Sequence, residues 1–438
     1  MAAGRGEAAA GGGTMVRAAL FFAMLAYYWV SLAPFPDLTL ASNADPWAGN
    51  SNTLNQVVAI VLFATLVVFA LRHPLVREVA QPRLLLGLIF GWLVITALLA
   101  GDPMTALRRV VMAGMVCVGA SIFLLLPRDE KHFARLLGTA LLVLLALAYW
   151  GVWFWPARAI HLASDVVEPQ LAGLWRGFFA HKNTAAAAMT FAVFGGMFVW
   201  ARWSRLAGAL IVVGALCFLV NSGGKTSLVL LPLVLGLAYV FERVRGSRYL
   251  LVVGGVGLFN LVVVGSAVLA PFRDFVAGLG VDASFTDRAA IWQFAFDAFA
   301  SRPLTGYGFT SFWQTGSLVY GGGTLETWAV TAANAHNAYL DTLLTAGVPG
   351  LALVVVWLLF QPIADVARAE ASGNDPLLTR LFLRLWLYGI FASSLESFFF
   401  ANGGPVWFTM LIGVFGLGMQ GRSALVVAPQ MSWRPAHV

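Results

Sequence analysis

Between two long apolar runs the chain reads Arg176-Gly177-Phe178-Phe179-Ala180-His181-Lys182-Asn183, placing Arg, His, Lys and Asn within eight residues. An Arg fork grips phosphate oxygens bidentately, and Lys adds a point charge. Asn183, if it opens the next helix, leaves that N-terminus facing an anion. On composition alone the same residues could form an interfacial loop whose Arg and Lys reach toward headgroups. Asp287-Arg288 begins a second cluster, with Trp292 one helical turn on. It reads either as a local ion pair of little worth or as an inward Arg288 beside Trp292 in an anion pocket. A third cluster, His336-Asn337, opens an apolar helix. With Asn334 as cap, His336 falls in the first turn, where the helix dipole favours a neutral ring able to accept a proton. An interfacial anchor is the other reading of that histidine.

Asn221-Ser222-Gly223-Gly224-Lys225-Thr226-Ser227 contains Gly-Lys-Thr but no Walker loop, because position 219 is Leu where that loop needs Gly. A short turn presenting Lys225 at the water interface fits better. Glu326, Asp341 and Glu396 show no metal-ligand spacing, so neither metal nor cofactor is expected.

The elements that position these clusters are membrane helices. Sixty per cent of the 438 residues are hydrophobic, 11% are charged, and the chain carries 33 Phe and 16 Trp. About twelve apolar runs are long enough to cross a ~30 Å hydrocarbon core. They lie near 16–36, 53–72, 83–101, 106–127, 132–153, 184–201, 206–221, 226–242, 249–271, 337–361, 378–398 and 404–421. Their continuity, without alternation, predicts helices rather than barrel strands. Arg and Lys crowd alternate short loops, including Arg72, Arg128, Arg202, Arg243, Arg368, Arg380 and Arg422. By the positive-inside bias those loops and both termini are cytoplasmic, and the three clusters face the opposite side. The net charge of +7 therefore requires no nucleic acid.

Residues 1–14 are Gly- and Ala-rich and read as a disordered cytoplasmic start, and 426–438 as a cytoplasmic tail. A single transmembrane domain spans 15–425, its first helix uncleaved, with external loops near 154–183 and 272–336. In the second loop Thr286 is a plausible cap, and Arg288, Trp292, Ala295 and Phe299 share one face of a helix expected to lie along the membrane surface. Cys117 and Cys217 read as buried packing residues within helices.

His336-Asn337-Ala338-Tyr339-Leu340 with Gly347 resembles the His-(Asn/Ser/Gln)-x-x-Leu…Gly signature of the O-antigen ligase and polymerase (Wzy/WaaL-like) superfamily of bacterial inner-membrane proteins. Arg288, Trp292, Pro303, Gly306, Gly308 and Phe309 resemble the segment preceding that signature. Trp175-Arg176-Gly177 with His181-Lys182-Asn183, and Gly224-Lys225-Thr226-Ser227, look most like the exopolysaccharide polymerase branch called ExoQ. Many relatives carry Ser-Arg where this chain has Gly-Lys. The resemblance covers 170–350 well. It implies an all-α polytopic membrane protein of about twelve transmembrane helices, with short helices in a long periplasmic loop, GT-C-like. It also implies a metal-independent, inverting glycosyltransferase that draws on an undecaprenyl-diphosphate-linked oligosaccharide at the periplasmic face. His336, Arg288 and Arg176 would be catalytic, and Lys225, His181, Lys182, Asn183, Asn337 and Trp292 would bind substrate. The partners implied are membrane lipid and a chain-length co-polymerase. A polymerase is the preferred reading. A ligase onto lipid A–core shares the chemistry, and a flippase should carry charges deep inside several helices, whereas these clusters sit at one face.

Overall fold

The computed structural model describes residues 15–40, 53–166, 168–278, 288–315 and 332–422. The expectations at 1–14, at Thr286 and Asp287, at Glu326 and at 426–438 lie outside them. Among the described residues the architecture is all-α, and the isolated bridge between Ile160 and Trp175 belongs to no strand.

Each of the twelve apolar runs contains a helix. We label α1 (Met15–Val30), α2 (Thr53–Leu71), α3 (Arg83–Leu98), α4 (Pro103–Phe123), α5 (Glu130–Phe154), α6 (Lys182–Arg202), α7 (Arg205–Ser222), α8 (Lys225–Arg243) and α9 (Leu250–Val268). Next come α10 (Ala270–Gly278) and α11 (Arg288–Ser301). The series ends with α12 (Ala338–Ala371), α13 (Pro376–Ala392) and α14 (Pro405–Arg422). Eight of these are both long and apolar enough to cross a membrane. Sequence signals start several of them: Asp102, Asp129, Ser204 and Asp375 each cap a helix through a side-chain oxygen.

Helix α14 is buried along nearly its whole length and packs against α13, α4 and the C-terminal part of α12. Helix α6 is likewise mostly buried, against α5, α7 and α13. The outer helices expose Leu206, Leu210, Val213 and Val220 on α7, and Val57, Ile60 and Val61 on α2. Such faces suit lipid, where packing rather than hydrophobicity holds helices together.

Three expectations are corrected. The run at 378–398 is helical only to Ala392, and Ser393 to Gly404 form an irregular segment before α14. Helix α11 turns its Trp292 face inward rather than toward headgroups, for Ile291, Trp292, Phe294 and Ala295 are buried and α11 packs on α9 and α12. Cys117 is buried, but Cys217 is exposed on α7.

The start of α12 is braced from behind. Gly306 (φ +64°) and Gly347 (φ +66°) lie in the left-handed region where L residues are strained. A Cβ on Gly347 would stand 2.1 Å from the Leu304 carbonyl oxygen, and one on Gly306 would stand 2.4 Å from that of Leu344. This close approach lets Tyr307 N–H donate to Leu344 and Val348 N–H donate to Pro303 across the two segments. The kink at Gly347 thus anchors the 303–308 turn against the helix that carries His336 at its head.

Candidate active site

Asn337 is the N-cap of α12, its Oδ1 accepting from Leu340 N–H at 2.9 Å. Asn334 is not the cap, contrary to expectation; its Oδ1 accepts from His336 N–H at 2.8 Å. His336 therefore precedes the cap rather than standing in the first turn, with φ +47°. A non-glycine residue in that region is sustained only where its surroundings over-determine it. Here Trp292 Nε1 donates to Ala335 O (2.8 Å), and Asp341 Oδ1 accepts from Ala335 N (3.0 Å) and Trp313 Nε1 (2.6 Å). Asn337 N donates to Ser397 Oγ (3.1 Å), and its amide donates to Asn260 Oδ1 (2.7 Å) and Ser394 O (2.9 Å). Trp292 and Asn337, expected to touch substrate, are here bound into this frame.

The residue on which the clusters converge is Glu396, which sequence reasoning passed over. Its Oε1 accepts from Arg288 Nη2 and Asn183 Nδ2, both at 2.9 Å, and its Oε2 faces His336 Nδ1 at 3.3 Å. Arg288 also donates to Leu395 O. The Glu396 side chain is 14% exposed and that of His336 34%. Burial alone would raise the Glu396 carboxyl, but His336 and Arg288 outweigh it and hold it at about 2. A carboxylate on Nδ1 favours the tautomer with its proton there, which leaves Nε2 as the basic lone pair. A signal existed in the sequence: Glu396 is an acid inside an aromatic, apolar run, an expensive placement outside a site. Asn260, the amide in the apolar run of α9, is a weaker signal of the same kind.

The start of α6 supplies Asn183. His181 caps this helix, its Nδ1 accepting from Asn183 N–H at 3.1 Å while its Nε2 meets Glu168 at 2.9 Å. That contact holds the Glu168 carboxyl below its ordinary range. Lys182 N–H donates to Nε2 of the buried His161, whose Nδ1 meets Asp165 at 3.0 Å. Burial lowers the His161 pKa, with Asp165 partly opposing. The Lys182 ammonium donates to Asn183 Oδ1 (3.4 Å) and Gly223 O (3.3 Å), within electrostatic reach of Glu396, Lys225 and Arg288. Lys225 is exposed at the head of α8, where the turn presents it. His161, Asp165 and Glu168 carried no motif that would single them out.

Arg176 stands apart from this set. Its guanidinium is buried, 1% of the residue being exposed, and it donates to Pro36 O (2.8 Å) and Phe179 O (3.1 Å). Those bonds tie the loop before α6 to the segment after α1. Arg176 is thus directed at backbone carbonyls rather than at Glu396 and His336.

A groove of about 620 Å³ runs between α9 and α12, lined by Val256, Leu261, Val264, Leu343, Leu351 and Val355. Asn260 and Asn337, the amide pair behind His336, line it together with Tyr339. A charged cluster thus adjoins a long apolar slot, the arrangement a lipid-linked anion requires.

No curated protein matches the chain. Residues 171–355, from the loop before α6 to the middle of α12, match the Wzy_C family model, described as O-antigen ligase. That stretch holds Arg176, His181, Lys182, Asn183, Lys225, Arg288 and His336, and the chain is a polytopic membrane protein that is similar over residues 171–355 to the O-antigen ligase family.

Proposed function

We propose that this protein is a polysaccharide polymerase of the inner membrane, working at the periplasmic face with an undecaprenyl-diphosphate-linked donor. The observation that carries the reading is Glu396, which gathers His336, Arg288 and Asn183 from three separate segments next to the apolar groove. The polyprenyl chain lies in that groove. Its diphosphate meets Arg288, Lys182 and Lys225, three cations set against Glu396 and Glu168. These cations stabilise negative charge as the diphosphate leaves.

The acceptor hydroxyl attacks the anomeric carbon while its proton passes to His336 Nε2. One C–O bond forms as the bond to the phosphate oxygen breaks, so the anomeric centre inverts. Glu396 acts through His336 and Arg288 and is a positioning residue. Arg176 is assigned a supporting role, holding the loop that leads into α6.

The polymerase reading rests on the Arg176-to-Asn183 and Gly224-Lys225-Thr226-Ser227 stretches, which resemble the ExoQ branch. Proteoliposomes holding lipid-linked repeat units as sole substrate test it. Polymer and free undecaprenyl diphosphate are expected; transfer only when lipid A–core is supplied would make the protein a ligase.

A further inference from the structure

A second cavity, of about 310 Å³, lies on the other flank of the His336 loop from the lipid groove. Its size falls in the range of about 300–1,000 Å³ typical of small-molecule sites. The two differ in chemistry. The groove is lined almost wholly by aliphatic side chains, whereas this cavity presents Asn334, Gln314, Asn402, Ser397 and Arg109 around the half-buried Trp313. Carboxamides and hydroxyls both donate and accept, which matches vicinal hydroxyls, and an indole face accepts the apolar C–H face of a pyranose.

Among the residues that line this cavity, Asn402, which also borders the small pocket beside Tyr28, has an atom without a partner. The Oδ1 of Asn402 is buried and accepts no hydrogen bond among the described residues. A buried carbonyl oxygen in that state is costly unless something donates to it. The position matters as well. Asn334 binds the backbone of His336 at 2.8 Å, and Ser397 follows Glu396 directly, so a sugar here lies next to the reacting centre. Trp313 reports to the same place, since its N–H is held by Asp341, which also holds Ala335.

We infer that this cavity is a saccharide subsite, taking a neutral pyranose of the acceptor glycan through Trp313, Gln314 and Asn402. The inference rests on the glycosyl-transfer reading for its acceptor role, but the binding itself does not. The probe is the repeat-unit oligosaccharide released by mild acid from the lipid-linked pool, titrated against the full chain in nanodiscs. Undecaprenyl diphosphate without sugar is titrated in parallel.

Asn402→Ala and Gln314→Ala are each expected to weaken oligosaccharide binding about tenfold, and to leave undecaprenyl diphosphate within about twofold of wild type. Three results would overturn the subsite: no saturable oligosaccharide binding by wild type, unchanged affinity in both variants, or equal weakening of both ligands. Selective weakening in a protein that turns over no lipid-linked donor would sink the polymerase reading and leave the sugar subsite standing.

Discussion

In the proposed mechanism His336 takes the proton and Glu396 positions it, so each fixes what the other can do. A general base contributes about 10²–10⁴-fold to rate, so His336→Ala is expected to cost at least that much, with protein level and melting temperature near wild type. Glu396→Gln keeps the shape but cannot hold the Nδ1 proton with a charge. It should lower turnover about 10–100-fold and shift the pH profile, which a merely structural residue would not do. The sign of its stability effect follows from its depressed pKa. The Glu396 carboxylate stabilises the fold fully above about 4.5, its ordinary value, and that contribution fades as pH falls toward about 2. The melting-temperature gap between wild type and Glu396→Gln should accordingly stay level from pH 7 to pH 5 and narrow only below about 4.5. A gap that closes already between pH 7 and 6 would refute the paired carboxylate. At this scale the sequence showed the cations well. His336 and Arg288 were legible because a basic side chain beside a bilayer needs a reason. Glu396 stood out only as an acid in an apolar run, and its role did not, because its partners lie 60, 108 and 213 residues away and no local pattern joins them. Arg176 looked identical to a phosphate ligand in sequence; only the fold shows that its Nη1 and Nη2 donate to the carbonyls of Phe179 and Pro36.

At the scale of the element, the glycines of the signature serve packing rather than catalysis. Gly347→Ala must accept both a left-handed φ and a Cβ within 2.1 Å of a carbonyl oxygen, so a loss of about 2 kcal/mol or more is expected. Gly373 has a similar φ of +67° but open space around its missing Cβ, and Gly373→Ala should cost only the backbone strain, about 1 kcal/mol. Thermal melts of the two variants in detergent check the order; equal losses would show that the 303–308 contact does not brace α12. Helix existence was readable from the length of the apolar runs, since lipid leaves a chain few alternatives. Helix ends were less so. The run at 378–398 hid a break at Ser393, because Leu395, Phe398, Phe399 and Phe400 are as apolar as the helix before them. Asn334 and Asn337 are equally good caps in sequence. The choice fell to Asn337 because Asn260 and Ser394 bind its amide.

Over the whole molecule, charge is sorted to two ends. The arginines counted on the basic side meet acids there: Arg248 with Glu370 (2.7 Å), Arg380 with Glu242 (2.6 Å), Arg422 with Glu78 (3.1 Å), and Arg202 with Glu130 (3.1 Å) and Asp375. The proposed orientation puts that end in the cytoplasm. A cysteine at exposed Ala180 should then react with an impermeant thiol reagent added from the periplasm, and one at exposed Arg245 only after the membrane is opened. The background thiol, exposed Cys217, is removed first. The reverse pattern would overturn the topology. The class of the molecule was plain from its mean hydropathy of +0.82, whereas the groove between α9 and α12 was not, since it exists only where two distant helices diverge. The central claim is that His336, held by Glu396, takes a proton as sugar leaves a lipid diphosphate without help from a metal. The most direct measurement is single-turnover release of undecaprenyl diphosphate from a sugar-linked donor in proteoliposomes containing chelator, comparing wild type, His336→Ala and Glu396→Gln. The account predicts full release by wild type, a slower rate for Glu396→Gln and none above background for His336→Ala. Release by His336→Ala at the wild-type rate, or a wild-type rate that falls in chelator and returns with a divalent ion, would contradict it.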